Sequence, residues 1–356
     1  MQIYIHLGTN LEYFDLLNQG KLLSQAKQDR DLASFFMQNF PWELAETISP
    51  QYEVNFMWIR EIKKRLWVDA FNKIAGIYYW SDNCEFLVPT KKEIESAIDN
   101  FILFNKNFPP HRVRSFTLVT PYLWDKMLER LDEGLEYLNN LNIKNPIEVV
   151  VNDYGVLNLL NKKYKNIKPI FWRVIHKILK TPLIDTFGYE AHPSWELIKN
   201  KSEHEKLRLR AEIVKWQMKF YNSSEVSLEV YRNFLERFNI SRVALDFMEK
   251  RDNLFDNSRF WNIRVDLYYP WALIFTWRLC DTSAIENPDR WNFAIDDICP
   301  RTCNRYDVFY KIKTNWYNMV QRWNAWYRSE LNLDFIKDDF IKNENNRLIF
   351  SPFITV

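Results

Sequence analysis

The sequence predicts an α/β fold of the TIM-barrel-like (β/α) type. Short runs rich in β-branched and aromatic residues alternate along the chain with longer stretches whose apolar residues recur at helical spacing. Such alternation indicates parallel strands joined by crossover helices. The number of units favours a closed barrel over an open sheet. With only 6 glycines in 356 residues, and no Walker loop or GxGxxG fingerprint, the chain lacks the glycine-rich loops that cradle phosphates.

The predicted elements follow one another in a regular order. Strands are predicted over residues 3–7, 74–80, 114–119, 146–152, 168–172 and 241–245. Helices are predicted over residues 31–64, from Lys91 onward, and over 122–141, 155–163 and 226–238. Thr90 and Glu93 have the spacing of a capping box, which predicts where the second of these helices begins.

Two regions depart from the alternation. Residues 181–224 are long and charged, and predict an insertion with a helix of its own. Residues 306–331 predict a long helix, because Trp316, Val320, Trp323 and Tyr327 form an aromatic stripe at helical spacing. We therefore expect a barrel over residues 1–305 and a C-terminal helical extension over residues 306–356 that packs on it.

Composition narrows the classes of partner. The formal net charge of +2 gives no strong signal for nucleic-acid or anionic-membrane binding. No stretch of about 18 uncharged apolar residues occurs, so no membrane span is expected. The N-terminus lacks the pattern of a secretory signal. A cytoplasmic location is therefore expected, where persistent disulfides are rare.

The four cysteines form the most informative pattern. Cys280, Cys299 and Cys303 have the spacing C-x18-C-x3-C, and Cys84 follows the strand predicted over residues 74–80. Because loops after parallel barrel strands gather at one rim, we expect these cysteines to meet there. Four thiolates suit an iron–sulfur cluster or zinc, and dispersed ligands favour the cluster. The spacing alone also allows four buried thiols with no metal.

Three stretches resemble the UbiV/UbiU branch of the collagenase-like peptidase family (peptidase family thirty-two, of unassigned mechanism). The first is Ile77-Tyr-Tyr-Trp-Ser-Asp-Asn-Cys84, and the second is Val149-Val-Val-Asn-Asp-Tyr-Gly155. The third combines Trp277-Arg-Leu-Cys280 with Asp296-Asp-Ile-Cys-Pro-Arg-Thr-Cys303. The strand at Ser241-Arg-Val-Ala-Leu245 is similar to a further family element. The matches lie in order between about residues 70 and 305.

This resemblance implies a barrel-like fold and a [4Fe–4S] cluster held by Cys84, Cys280, Cys299 and Cys303. It also implies activity as a heterodimer with a second, related subunit. Members are implicated in oxygen-independent hydroxylation of ubiquinone precursors and of RNA bases, so a small aromatic or nucleobase-type substrate is expected.

Three further residues are candidates for catalysis. Asn152 and Asp153 stand at a strand end, where they could hydrogen-bond substrate, although an aspartate there also commonly caps the next helix. Arg242 could pair with a substrate carboxylate or with a structural acid. The expected function is a redox enzyme or enzyme subunit. The alternatives are a non-catalytic cluster- or zinc-bearing partner subunit and a peptidase, although the five histidines show no HExxH motif.

Overall fold

The structure is a computed structural model, and its central feature is a closed barrel. It describes residues 1–9, 60–62, 64–65, 74–106, 115–141, 147–173, 199–209, 211–212, 226, 228–247, 263–276, 280, 282, 299, 301–304, 308–311, 318–329 and 332–351. We number strands and helices within these residues. The barrel strands are β1 (Gln2–His6), β2 (Ile74–Tyr79), β3 (Ser115–Val119), β4 (Glu148–Val151), β5 (Lys168–Phe171), β6 (Arg242–Asp246), β7 (Arg264–Tyr269) and β12 (Arg347–Phe350).

All eight strands run parallel. Their order around the barrel is β1-β12-β7-β6-β5-β4-β3-β2, with β1 hydrogen-bonded to both β2 and β12. This confirms the TIM-barrel-like fold. The strands are short and almost wholly buried, which explains their continuous apolar composition: strands covered on both faces need no alternation of polar residues.

Helices pack against the barrel strands. They are α1 (Lys91–Lys106), α2 (Asp125–Asn140), α3 (Tyr154–Lys163), α4 (Glu229–Arg237) and α5 (Asp338–Lys342). The predicted capping box at the start of α1 is confirmed. The backbone N–H of Thr90 donates to Glu93 Oε2 at 2.7 Å, and the backbone N–H of Glu93 donates to Thr90 Oγ1 at 3.3 Å.

The barrel interior contains one apolar layer and one charged layer. Tyr4, Val119, Val150, Ile170 and Ala244 are among the buried side chains that pack inside it. Near the amino ends of the strands lies a charged group of Glu148, Asp266, Arg242 and Arg347. The carboxyl ends of the strands form the opposite end of the barrel, where the active sites of TIM-barrel enzymes generally lie.

A second sheet is inserted between barrel strands β7 and β12. It is antiparallel, in the order β8-β11-β10-β9, and comprises β8 (Trp271–Thr276), β9 (Val308–Lys311), β10 (Asn318–Arg322) and β11 (Ala325–Ser329). The expected long helix over residues 306–331 is therefore wrong, because three strands occupy the described part of it. The boundary at residue 305 is also wrong, since the last barrel strand is β12.

Two other expectations fall largely outside the described residues. Within the expected insertion at 181–224, residues 203–209 are helical. Of the helix expected over residues 31–64, only 60–62 and 64 are described, and they are helical. In the described part of the chain, no helix has both the length and the apolar character needed to cross a membrane.

Candidate active site and cysteine centre

Polar side chains gather where the barrel strands end. His6 is the last residue of β1, and Asp246 is the last residue of β6. Asp82 lies three residues after β2, Arg173 two residues after β5, and Ser351 directly after β12. Since all these strands are parallel, their carboxyl ends meet on one face of the barrel, and the five side chains are brought together there.

Four of these five side chains, all but that of Asp246, line a pocket. The space inside it that a water-sized sphere can occupy is about 20 Å³, enough for about one water molecule. The lining residues are His6, Asp82, Arg173, Tyr268, Trp271, Trp323, Tyr327 and Ser351. The pocket thus combines four aromatic walls with a few charged groups, a composition typical of small-molecule sites.

Arg173 is the central charged group of the pocket. Its guanidinium donates to Asp246 Oδ1 through Nη1 and to Asp82 Oδ2 through Nη2, the latter at 3.0 Å. Nη1 also donates to the backbone carbonyl of Trp271 at 3.1 Å. One guanidinium thereby connects the ends of β2, β5 and β6 to the start of β8.

The surroundings keep Arg173 charged. Burial works against the charge, but the carboxylates of Asp246 and Asp82 outweigh it and raise the pKa of Arg173 above its ordinary value. The guanidinium carbon also lies 4.7 Å from the ring centre of Trp172 and 4.5 Å from that of Tyr268, distances at which the ring faces attract a cation.

The inserted sheet covers this end of the barrel. The hydroxyl of Tyr327, on β11, donates to Asp82 Oδ1 at 2.9 Å. The amide of Asn83 donates to the Tyr327 hydroxyl at 2.6 Å, and the backbone N–H of Leu273, on β8, donates to Asp246 Oδ1 at 3.0 Å. The inserted sheet is therefore held to the strand ends by buried polar groups.

The four cysteines lie close to this pocket. Cys84 and Cys303 are buried in one small apolar cluster with Leu87 and Trp323. Cys280 and Cys299 are partly exposed. The side chain of Cys280 lies 2.8 Å from the Thr282 hydroxyl and donates to the Trp323 carbonyl at 3.3 Å.

The Cys84 thiol interacts electrostatically with two of the other three cysteines, Cys280 and Cys299. Burial raises the pKa of Cys84 to about 12, and the charges that the Cys280 and Cys299 thiols carry when ionised act in the same direction. Hydrogen bonds from the backbone N–H groups of Phe86 and Leu87 oppose this and favour the thiolate. Such N–H groups also commonly stabilise metal-bound thiolates.

The four thiols are the donors that a four-thiolate centre needs, and the backbone N–H groups of Phe86 and Leu87 would stabilise a thiolate at Cys84. The distances are not yet those of a metal site, because no three histidine, cysteine, aspartate or glutamate side chains in the described ranges are arranged to hold a metal ion. Metal binding commonly draws its ligands together, since binding and local folding are coupled. Binding at Cys84, Cys280, Cys299 and Cys303 therefore requires their side chains to move closer.

Trp323 joins the cysteines to the pocket. It lies in the turn between β10 and β11 with a φ of 58°, a left-handed conformation that is uncommon for a residue with a large side chain. Its side chain lines the pocket and also packs in the cluster with Cys84 and Cys303. The cysteines and the pocket therefore share one wall.

The structure separates the three residues expected to act in catalysis. The Asn152 amide donates to the backbone carbonyls of Asp82 and Thr120, so it holds the loop before Cys84 against the loop after β3. The Asp153 carboxylate caps α3, accepting from the backbone N–H of Gly155 at 2.5 Å. Only Asn152 contacts the loop that carries Asp82 and Cys84.

Arg242 lies at the other end of the barrel. It is the first residue of β6, and its guanidinium donates to Asp266 Oδ1 at 2.6 Å and to the Asn345 carbonyl at 3.1 Å. This is the pairing with a structural acid that was one of its two expected roles. Its distance from the strand carboxyl ends keeps it out of the pocket.

Sequence reasoning missed His6, Arg173 and Asp246 as site residues. The signal that could have found them is position: each is a polar residue at the carboxyl end of a strand that is otherwise apolar, or within two residues of it. Tyr327 and Trp323 carry no such signal, because the residues of their segment have the spacing of a helix face.

The fold and this site define a class: a parallel α/β barrel with a polar pocket at the carboxyl ends of its strands and four cysteines beside that pocket. Comparisons of the chain with models of protein families, with curated proteins and with solved structures give no match. The geometry described above is therefore the basis for assigning a function.

Proposed function

We propose that this chain is a [4Fe–4S] redox enzyme, or a redox enzyme subunit, whose substrate binds in the pocket beside the cysteines. Cys84, Cys280, Cys299 and Cys303 would hold the cluster. The observation that carries the proposal is the position of Trp323, which packs against Cys84 and Cys303 and also lines the pocket. The proposed class resembles the oxygen-independent hydroxylases suggested by the motifs.

The protein's own groups have distinct tasks in this proposal. A cluster supplies electrons one at a time. The rings of Trp271, Trp323 and Tyr327 line the pocket and favour a flat ligand such as an aromatic ring or a nucleobase. Arg173 holds Asp82 and Asp246 in place, and the buried contacts of the inserted sheet exclude water from that side.

The charge of the pocket limits its ligands. Arg173 is already engaged by two carboxylates, Asp82 and Asp246, so a ligand carboxylate would be a third anion around one cation. Like charges in a site of low dielectric constant repel strongly. An uncharged ring therefore suits the pocket better than a carboxylate, and this supports an aromatic or nucleobase-type substrate.

The test is anaerobic purification of the full chain, followed by an absorbance scan and analysis of iron, acid-labile sulfide and zinc. The proposal expects a brown protein with about four irons per chain. Cys299→Ala and Cys303→Ala should lose the colour and most of the iron, with circular dichroism confirming that the barrel is retained. Thr282→Ala is the matched control, because Thr282 contacts Cys280 but is not a proposed ligand, and it should keep the iron.

A colourless protein with one zinc per chain would contradict the cluster. A second candidate function is a non-catalytic cluster-bearing partner subunit. It is favoured by the hydrogen bonds that Arg173 and Tyr327 both donate to Asp82, because these polar groups already bind one another. Titration with dithionite separates the two functions. A cluster that accepts electrons supports the enzyme, whereas one that cannot be reduced supports the structural role.

A further inference from the structure

The pocket at the carboxyl ends of the strands has room for one very small molecule. The space that a water-sized sphere can occupy is about 20 Å³, and a cavity needs roughly 10–15 Å³ of such space to hold one water molecule. The pocket therefore fits a molecule with a single heavy atom. A larger ligand requires the lining side chains to move apart.

Two buried polar groups of the pocket lining have no hydrogen-bond partner within the described part of the protein. They are the Nε–H group of Arg173 and the hydroxyl group of Tyr268. Arg173 is 3% exposed and Tyr268 is 1% exposed, so bulk solvent does not reach these groups. A buried polar group without a partner is costly, because its hydrogen bonds to water are lost on folding. Both groups therefore call for a partner inside the pocket.

The two groups are near each other, and the rest of the guanidinium is already engaged. The guanidinium carbon of Arg173 lies 4.5 Å from the ring centre of Tyr268, and Nε is bonded directly to that carbon. Nη1 donates to Asp246 and to the Trp271 carbonyl, and Nη2 donates to Asp82. Nε is the guanidinium nitrogen that is left to bind an occupant of the pocket.

The hydroxyl group of Tyr268 can act as donor and as acceptor. Burial raises the pKa of Tyr268 well above its ordinary value, and the charge of an ionised Tyr78 would act in the same direction. The hydroxyl group therefore keeps its proton at neutral pH. It can donate one hydrogen bond and accept others.

The charges around the pocket disfavour an ion. Arg173 and the carboxylates of Asp82 and Asp246 together carry a net negative charge, which repels an anion. A cation would lie against the positively charged guanidinium and its Nε–H donor. The occupant that satisfies both groups is a neutral molecule that donates and accepts hydrogen bonds and has one heavy atom, which describes water.

We infer that the pocket binds one internal water molecule, which accepts a hydrogen bond from Arg173 Nε–H and forms a second one with the hydroxyl group of Tyr268. Holding one water costs less than leaving two buried polar groups unsatisfied. A ligand of this pocket has to displace the water or bind beside it. The inference goes beyond the proposed function and does not depend on it, because it involves no cysteine and no cluster.

A crystal structure of the full chain, at a resolution that shows ordered water, tests the inference directly. One density peak is expected between Arg173 Nε and the hydroxyl oxygen of Tyr268, roughly 2.7–3.2 Å from each. The absence of a peak, a protein atom at that position, or an anomalous signal from chloride there overturns the inference.

The variant Tyr268→Phe tests the hydrogen bond in solution through the sign of the change in stability. If the hydroxyl group binds water, its removal should lower the ratio of folded to unfolded protein about fivefold, the loss expected for one hydrogen bond. If the hydroxyl group has no partner, its removal should leave the ratio unchanged or raise it, and this result overturns the inference. Urea unfolding followed by circular dichroism measures the ratio.

Tyr78→Phe is the matched control. Tyr78 is buried in the same cluster inside the barrel as Tyr268, but its hydroxyl group donates to Asp266. This variant should lose stability whatever the pocket contains, and it shows that the measurement detects the loss of one buried hydroxyl group. A loss for Tyr78→Phe without a loss for Tyr268→Phe contradicts the bound water.

Discussion

Arg173 is the buried cation that pairs with two carboxylates at the carboxyl ends of the barrel strands. Its side chain is 2% exposed, and those of its partners Asp82 and Asp246 are 2% and 0% exposed. Two buried carboxylates can remain ionised next to each other only with a cation between them. The arginine fork also suits this task better than a lysine, because it offers several donors in a fixed plane.

We therefore predict that Arg173→Met destabilises the protein by about 3–5 kcal/mol, the usual cost of leaving a buried charge without its partner. Urea unfolding followed by circular dichroism measures the free energy of unfolding. Adding Asp246→Asn to Arg173→Met should recover part of the loss, because one of the two stranded carboxylates is removed.

The matched control is Lys163→Met. Lys163 pairs with Asp132 at 2.6 Å, but the lysine side chain is 56% exposed. Exposed ion pairs contribute about 0–1 kcal/mol, so this variant should unfold almost like the wild type. If Arg173→Met cost no more than Lys163→Met, the buried network would not be what holds the mouth of the barrel together.

Among the elements, helix α1 connects the barrel to the cysteine region. Glu93 closes the capping box with Thr90 and also pairs with Arg301 at 2.8 Å. Arg301 has a φ of 55° and lies two residues before Cys303. The start of one barrel helix therefore positions the chain next to a proposed metal ligand.

Glu93→Gln should lower the free energy of unfolding by about 1 kcal/mol, a typical cost of losing a helix cap. Burial works to raise the pKa of Glu93, but the hydrogen bonds from Thr90 and the charge of Arg301 outweigh it, and the folded-state pKa lies below the ordinary value of 4.5. The charge thus contributes stability above the unfolded-state pKa. That contribution is lost as pH falls through the lower folded-state pKa.

Unfolding curves at several pH values check this. The difference between wild type and Glu93→Gln should be constant near neutral pH and should fade in acid below about pH 4.5. Glu205→Gln is the control, because Ser202 and Glu205 form the same capping box on an exposed segment. Its effect should be smaller, and a difference for Glu93→Gln that grows in acid would contradict the assignment.

The strands β10 and β11 show why a helix was predicted there. Val320, Trp323 and Tyr327 recur at intervals of three and four residues, which is the spacing of a helix face. In the structure Val320 pairs directly with Tyr327 across an antiparallel hairpin, and Trp323 lies in the turn between them. A tight hairpin thus places Val320 and Tyr327 side by side, as a helix face would, and spacing alone does not distinguish a hairpin from a helix.

At the scale of the whole molecule, strand β12 closes the barrel between β1 and β7. Its first residue, Arg347, forms a two-point ion pair with Glu148, at 2.6 and 3.1 Å, and donates to the Tyr78 hydroxyl at 3.0 Å. Burial opposes the charge of Arg347, yet Tyr78, Asp266 and Glu148 raise its pKa well above the ordinary value. The closing strand is thereby tied to β2 and β4 through the barrel interior.

Arg347→Met should cost about 3–5 kcal/mol, because the buried carboxylates of Glu148 and Asp266 would lose one of the cations that they pair with. Measured in urea, the double variant Glu148→Gln with Arg347→Met should be more stable than the sum of the two single losses predicts. Such coupling is expected for residues in one network. Additive losses would show that Arg347 and Glu148 do not stabilise each other.

Local sequence patterns predict most of the barrel. The six strands predicted over residues 3–245 and the helices α1 to α4 follow from apolar periodicity and capping residues, which act within a few positions of the chain. The last two barrel strands were not predicted. β7 and β12 lie on either side of the inserted sheet, and only pairing with β6 and β1 identifies them as parts of the same barrel.

What the sequence determined by itself is the alternation that makes a barrel, the strand-end position of Cys84 and the start of α1. The tertiary structure decided which polar groups share the pocket and what Arg242 binds. The physical reason is the range of the interactions. Apolar spacing and caps depend on neighbours three or four residues away, whereas the pairing of Arg173 with Asp82 spans 91 residues and that of Tyr327 with Asp82 spans 245. Such contacts exist only once the strands have closed into a barrel.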